Sequence, residues 1–251
     1  MLKTVSNGQS IHQYIPPHLR RMFYNNPATV HASQNGKDPY GFPTNGLALY
    51  LPLWALKDSA FKSIDPYHHA CTVTGATYGS QGRTFGGNAK ITIPDNATLR
   101  LGTGSLLISI WVKPDISQSC YLLGAYSGVA NGGWALWLST DGRIYFSYRL
   151  SGISRDQSTL AAAVTTNTWQ MLTWLLNKST NEIVFYNGTT LKRTQALVEA
   201  GDLSENTTVE MGYLTYTAAY GKATIGEIIR VNGLGTVAEI TQIYNATKWR
   251  Y

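Results

Sequence analysis

Apolar and polar residues follow two regimes along the chain. From Leu47 onward, apolar residues come in short runs broken by Gly, Asn or Asp. Leu47–Leu51 opens the series, and segments 71–78, 83–93, 106–113, 120–126, 133–139, 143–150, 168–176, 182–186, 189–194, 208–214 and 222–231 continue it. Short strands at near-regular spacing, separated by turn residues, predict an all-β sandwich or closed barrel. Before residue 46 the alternation is absent. Residues 1–45 hold Pro16, Pro17, Pro27, Pro39 and Pro43, five of the nine prolines. One short helix is expected there, opening at Pro17 with Leu19, Met22 and Phe23 on a common face and stopped by Pro27. Such a helix cannot stand alone. The chain is therefore divided into an extended N-terminal arm, 1–45, and a sandwich domain, 46–251.

Two hairpins are legible. Asn187-Gly188 is a strong two-residue turn signal, since both residues tolerate positive φ. In GGWALWLSTDGRIYFSYR, a three-residue loop Thr140-Asp141-Gly142 sorts the side chains most cleanly. Trp134, Leu136, Leu138, Ile144, Phe146 and Tyr148 then line one face. Ala135, Trp137, Ser139, Arg143, Tyr145, Ser147 and Arg149 line the other. A two-residue loop would mix the two sets, and a slip of one position would expose the whole apolar face.

Other strands are apolar on both parities. Trp169–Leu176 and Leu106–Val112 are of this kind, which places them centrally, covered on both sides. Trp54, Trp111, Trp169 and Trp174 are assigned to the core. Thr236-Val237-Ala238-Glu239 reads as a capping box, followed by a helix that docks through Ala238, Ile240, Ile243 and Tyr244.

Composition narrows the class. Charged residues make up 14% of the chain, against about 25% on average, which excludes a disordered chain or a charged helical bundle. The formal charge is +6. Lys3, Arg20, Arg21 and Lys37 against Asp38 put half of it in the arm, and the rest is scattered, without the dense basic stripe of a nucleic-acid binder. No apolar run is long enough for a transmembrane helix. The first ten residues lack the apolar core of a secretory signal, so none is expected. Cys71 and Cys120 both lie in apolar strand-like sequence and are read as buried free thiols rather than a disulfide. His12, His18, His31, His68 and His69 have no metal-site spacing.

The order of segments resembles the laminin-G-like members of the concanavalin A-like lectin/glucanase superfamily. LYLPL (49–53), GRTFGG (82–87), ITIPDN (91–96), SLLISIWVKP (105–114), GGWALWLSTDGRIYF (132–146), NTWQMLTWLL (167–176), IVFYNGTTL (183–191) and GEIIRVNGLGTVAEITQIYNATKWRY (226–251) carry the resemblance. It implies a jelly-roll of two antiparallel sheets and leaves the arm outside. The family spans lectins, adhesive modules, surface or virion structural proteins and some glucanases. Laminarinase-like members carry E-x-D-x-E, which this chain lacks, so no catalytic residue is assigned and a non-enzyme is expected, with a glycosidase built on carboxylates from distant strands as the least favoured alternative. Some relatives bind calcium at the sandwich rim. Asp58, Asp65 and Asp95 are the candidate ligands here, with turn capping the favoured role for each. The I-D-E of many relatives is Ile225-Gly226-Glu227 here, one carboxylate short.

Two recognition surfaces follow. Leu19, Arg20, Arg21, Met22, Phe23 and Tyr24 are the expected arm-docking residues, through which the jelly-roll would join a protein assembly or homo-oligomer on a virion or cell surface. Trp137 opposite Tyr145, with Arg143 and Arg149 nearby, is the alternative: an aromatic pair edged by donors, suited to a cell-surface glycan or to a protein partner. No cofactor beyond this optional calcium is expected.

Overall fold

The computed structural model describes residues 41–42, 44–126, 132–150, 152–198, 201–204, 207–214, 218–233 and 235–251. Leu19–Tyr24 and the rest of residues 1–40 lie outside the described residues. The strands are, in order, β1 (Leu47–Pro52), β2 (Ala60–Lys62), β3 (Ala70–Thr74), β4 (Thr77–Gly79), β5 (Gly82–Phe85), β6 (Lys90–Ile93), β7 (Leu106–Pro114), β8 (Cys120–Ala125) and β9 (Trp134–Leu138). They continue with β10 (Ile144–Leu150), β11 (Ile153–Ser158), β12 (Gln170–Asn177), β13 (Glu182–Asn187), β14 (Thr190–Ala196), β15 (Val209–Met211), β16 (Tyr213–Leu214), β17 (Ala219–Tyr220) and β18 (Ala223–Asn232). Among the described residues there is one α-helix, α1 (Val237–Thr247), followed by a 3-10 turn.

All of these strands but β16 and β17, which pair with each other in a small separate ribbon, form the two antiparallel layers that the alternation predicts. One sheet runs β14-β13-β12-β7-β18-β5-β4, with β1 also on β18; the other runs β11-β10-β9-β8-β15-β6-β3-β2. Segments that look continuous in sequence divide between the layers. Residues 71–78 become β3 and β4, on opposite sheets, and 83–93 become β5 and β6. The crossings fall at Gly75 (φ 71°) and Gly87 (φ 59°), where a left-handed residue turns the chain.

Leu172, Trp174, Leu176, Ile108, Ile110 and Val112 face the second sheet's Leu136, Leu138, Ile144 and Phe146 in the inter-sheet core. The other parity of β7 and β12 is also covered. Leu107, Trp111 and Met171 lie under Ile240, Ile243 and Ala246 of α1. That is the physical reason neither parity of these strands is polar. The helix has the predicted capping box: Thr236 N–H donates to Glu239 Oε2 at 2.6 Å and Glu239 N–H to Thr236 Oγ1 at 3.2 Å. Its docking stripe is Ile240, Ile243, Ala246 and Thr247, whereas Ala238 is exposed, a correction to the expected stripe. Phe42 is buried and meets Tyr50 edge-on at 5.3 Å, so the described chain begins on this helix-side face.

The four tryptophans assigned to the core divide. Trp111 and Trp174 are buried, but Trp54 and Trp169 are only half-buried. Both sit by the last residues instead. Trp54 stacks on the Arg250 guanidinium at 4.6 Å, and Trp169 packs on Tyr251 with ring centroids 4.6 Å apart. An apolar neighbourhood in sequence does not distinguish the core from a surface groove filled by a distant tail. Arg250 ion-pairs with Glu227 at 2.6 Å, and the Tyr50 hydroxyl donates to the same carboxylate at 2.6 Å. Burial pushes the Glu227 carboxyl up, against the pull of Arg250. Tyr251 lies over Gly226, where a Cβ would fall 2.3 Å from the ring.

The Asn187-Gly188 hairpin forms one residue later than the sequence suggests. Asn187 pairs with Thr190, so Gly188 (φ 59°) and Thr189 make the turn. The Asn187 amide is instead committed to Ala163 O at 2.9 Å and Gln170 Oε1 at 2.7 Å. At the far edge β11 and β14 are tied together: Ser158 N–H donates to Gln195 Oε1 at 2.6 Å, and Arg193 Nη1 donates to Ser158 O at 3.1 Å. Cys71 and Cys120 are buried free thiols, both pushed up to about 12, chiefly by burial. Among the described residues no helix is long and apolar enough to cross a membrane.

Candidate recognition site on the outer face of the second sheet

The β9–β10 hairpin adopts the three-residue register. Trp137 pairs with Tyr145, Ala135 with Ser147 and Trp134 with Tyr148. Gly142 (φ 76°) closes the loop, its N–H donating to Ser139 O at 3.0 Å. A Cβ at Gly142 would meet Val164 O at 2.9 Å, so both conformation and space require glycine. Trp174 reaches across from the first sheet, its Nε1 donating to Tyr145 O at 3.0 Å. This fixes β10 behind the site.

The register builds two contrasting rows across the outer face. Tyr121, Trp137 and Tyr145 are neighbours on β8, β9 and β10. Trp137 stacks on Tyr145 with centroids 3.9 Å apart and planes 13° from parallel, and on Tyr121 at 5.8 Å and 18°. The indole is thus sandwiched between its two cross-strand neighbours. This corrects the expected open aromatic pair: neither face of Trp137 is free for a sugar, and the ladder offers ring edges. The adjoining row is small: Gly124, Ala135, Ser147 and Asp156. At Gly124 a Cβ would lie 2.8 Å from Trp134 O. Large rings beside residues of almost no bulk leave a recess.

That recess holds about 250 Å³ and is lined by Tyr121, Tyr126, Ala135, Trp137, Ser147, Arg149, Ser154, Asp156 and Leu214. Its polar wall is already organised. Trp137 Nε1 donates to Ser147 Oγ at 2.7 Å, and Ser147 Oγ donates to Asp156 Oδ1 at 2.5 Å. The Tyr126 and Ser154 hydroxyls are 2.8 Å apart. Arg149 Nη2 donates to Gly152 O at 3.2 Å.

Of the four candidates, Trp137 and Arg149 line the recess, and Tyr145 backs it through the stack. Arg143 is elsewhere: its Nε donates to Asp141 Oδ2 at 2.7 Å within the turn. The Ser139 hydroxyl, and then Arg143, hold the Asp141 carboxyl below its usual range. Tyr121, Tyr126, Ser154, Asp156 and Leu214 were not foreseen. Tyr121 had a signal in its parity opposite Cys120. Asp156 and Ser154 had none, because β11 reads ISRDQS and shows no alternation of apolar residues.

The calcium candidates do not converge, and the carboxylates of Asp65 and Asp95 are engaged separately. Asp65 is buried and accepts the N–H groups of Tyr50 at 3.0 Å and Tyr67 at 2.9 Å. Asp95 pairs with Arg100 at 2.5 Å, a contact that holds its carboxyl low. The backbone carbonyl of Asp58 takes Arg83 Nη2 at 2.6 Å. Among the described residues no group of three or more His, Cys, Asp or Glu side chains converges on a cation position.

A family model described as the concanavalin A-like lectin/glucanases superfamily matches residues 85–240. No curated protein matches the chain by sequence. Among solved structures, the binding domain of Paraclostridial Mosquitocidal Protein 1 superposes with a TM-score of 0.65 at 14% identity, covering 81% of this chain and 52% of that one. The botulinum neurotoxin serotype D ligand-binding domain in complex with N-acetylneuraminic acid gives 0.64 at 14% identity, with coverages of 81% and 52%. The botulinum neurotoxin DC binding domain in complex with rat synaptotagmin II gives 0.65 at 14% identity, with 81% and 52%. The chain spans about half the length of these binding domains, and at such identity the likeness is one of fold.

Proposed function

The chain belongs to the concanavalin A-like lectin/glucanase superfamily, and from that premise we propose that it is a binding module, without bond-breaking chemistry, that takes a saccharide in the recess beside Trp137. The observation that carries this reading is the recess itself: about 250 Å³, walled by aromatic edges on one side and by hydroxyl, carboxylate and guanidinium groups on the other. Saccharide recognition needs that division, apolar contact for C–H faces and fixed polar groups for hydroxyls. Fold neighbours solved in complex with N-acetylneuraminic acid and with synaptotagmin II support the class. Among the described residues the recess wall contains one carboxylate, Asp156, whereas glycoside hydrolysis uses two facing each other.

Glycan-array screening of the full chain, followed by titration of the best hits, tests the reading. Ala135→Leu fills the recess from its floor and is expected to abolish binding while leaving the thermal transition within a few degrees. Silence across a broad array, or binding indifferent to the filled recess, overturns it.

A second reading concerns display. Phe42 is anchored beside Tyr50 on the helix-side face, opposite the recess. An arm of residues 1–45 leaving that face to join a virion or cell-surface assembly, through Leu19–Tyr24, would present the recess outward. Removing residues 1–40 is expected to leave a folded, ligand-competent module that no longer assembles; unchanged assembly of the shortened chain refutes it.

A further inference from the structure

The sign of charge in the recess constrains the class of sugar. The Ser147 hydroxyl accepts from Trp137 Nε1 at 2.7 Å and donates to Asp156 Oδ1 at 2.5 Å, so the carboxylate is held in one orientation by the aromatic ladder. Oδ2 has no hydrogen-bond partner among the described residues, and Asp156 lies on the exposed strand β11 at the lip of the recess. A carboxylate in this position is an acceptor only. It rewards a ligand that brings a hydroxyl donor and repels one that brings a second anion. The cation in the wall, Arg149, is turned to the Gly152 carbonyl at 3.2 Å. The volume, about 250 Å³, lies below the roughly 300–1,000 Å³ of pockets for drug-sized ligands and suits one saccharide unit.

We infer that the recess selects a single uncharged saccharide unit, with a sugar hydroxyl donating to Asp156 Oδ2, and discriminates against sialylated, uronic and sulfated glycans. This rests on the saccharide reading above and sharpens it. Asp156 is the residue that determines the specificity, because it is the acid in the wall. Ser147 acts through Asp156 by fixing Oδ1 and is a positioning residue. Two unit negative charges ~5 Å apart at an effective dielectric near ~50 disfavour an acidic sugar by at most about tenfold, because the Arg149 guanidinium in the same wall keeps its positive charge and offsets part of the repulsion.

The experiment titrates the full chain with matched oligosaccharides ending in galactose, mannose or glucose and with their sialylated, uronic and sulfated counterparts, at low and high salt. The expected result is preference for a neutral terminus by about threefold to tenfold, with an affinity for the neutral ligand that changes less than twofold with salt, since no ion pair is formed. D156N is expected to weaken the neutral ligand by about tenfold and to narrow the gap to the acidic one, with an unchanged thermal transition as the folding control. Ser147→Ala is expected to weaken neutral binding less than D156N does, without altering the neutral-to-acidic ranking. An acidic glycan that binds as tightly as the neutral one, weakens with salt, or survives D156N with the original ranking overturns the inference while leaving the saccharide reading intact. No binding to either series overturns both.

Discussion

Removing Arg250 isolates a buried charge, and the structure says how much that should cost. The Glu227 side chain is fully buried and that of Arg250 is 9% exposed, with Nη1 to Oε2 at 2.6 Å. After Arg250→Ala, the Glu227 carboxylate retains the Tyr50 hydroxyl at 2.6 Å but no counter-ion among the described residues. Breaking a buried pair from one side costs about 3–5 kcal/mol. Loss of the guanidinium from between Trp54 and Trp249, at 4.6 and 4.3 Å, adds a smaller amount. For a domain of this size a loss of that order lowers the thermal midpoint by roughly 10 °C. The pH dependence is the sharper readout. Burial already raises the Glu227 carboxyl in the folded chain, and removing Arg250 raises it further. The folded state then binds this proton more tightly than the unfolded state, so stability is greatest below the unfolded carboxylate value and falls as pH rises through the folded one. Urea unfolding of the Arg250→Ala chain from pH 5 to pH 8 should show a deficit that grows with pH. The Glu227→Gln/Arg250→Ala chain should recover part of it and lose the slope. A deficit below about 1 kcal/mol, equal at both ends of that range, refutes the reasoning, because a charge stranded in the interior must register somewhere.

Gly226→Ala places a Cβ 2.3 Å from the Tyr251 ring; urea unfolding should show a loss of about 1–3 kcal/mol from overpacking, relieved by adding Tyr251→Ala. Thr236→Ala removes the cap of α1, and the same assay should register about 1 kcal/mol. With both thiols pushed up to about 12 and buried, a maleimide should label neither Cys71 nor Cys120 in the native chain at pH 8 and both in denaturant; fast native labelling counts against the burial.

Where the sequence was informative, one layer of physics set the outcome. Trp134, Leu136 and Leu138 against Ile144, Phe146 and Tyr148 could be placed because a strand's period of two allows a single register that keeps six large apolar side chains dry. The same logic found the double-sided burial of Leu106–Val112 and Trp169–Leu176 and the helix capped by Thr236. It failed where the deciding contact was far away in the chain. Trp54 and Trp169 look like core residues until Arg250 and Tyr251 return to them from the other end. The recess was half visible. Trp137, Tyr145 and Arg149 follow from the hairpin, but the sandwich of Trp137 by Tyr121 depends on how β8 pairs, with a register shift between Tyr121 and Leu123. Asp156 depends on a polar edge strand held by the rest of the sheet. Arg143 lies outside the recess lining because alternation gives a face, not a side-chain direction, and Asp141 two residues away captures the guanidinium.

The stitch between β11 and β14 bears on behaviour at high density. A jelly-roll presented in many copies brings border strands close together, and unpaired backbone there invites sheets to fuse from one molecule to the next. Here the outward amide and carbonyl of Ser158 are already occupied by Gln195 and Arg193. At that one position the border of the strand that carries Asp156 is fastened from within, which removes a pair of backbone groups through which crowded neighbours could knit together.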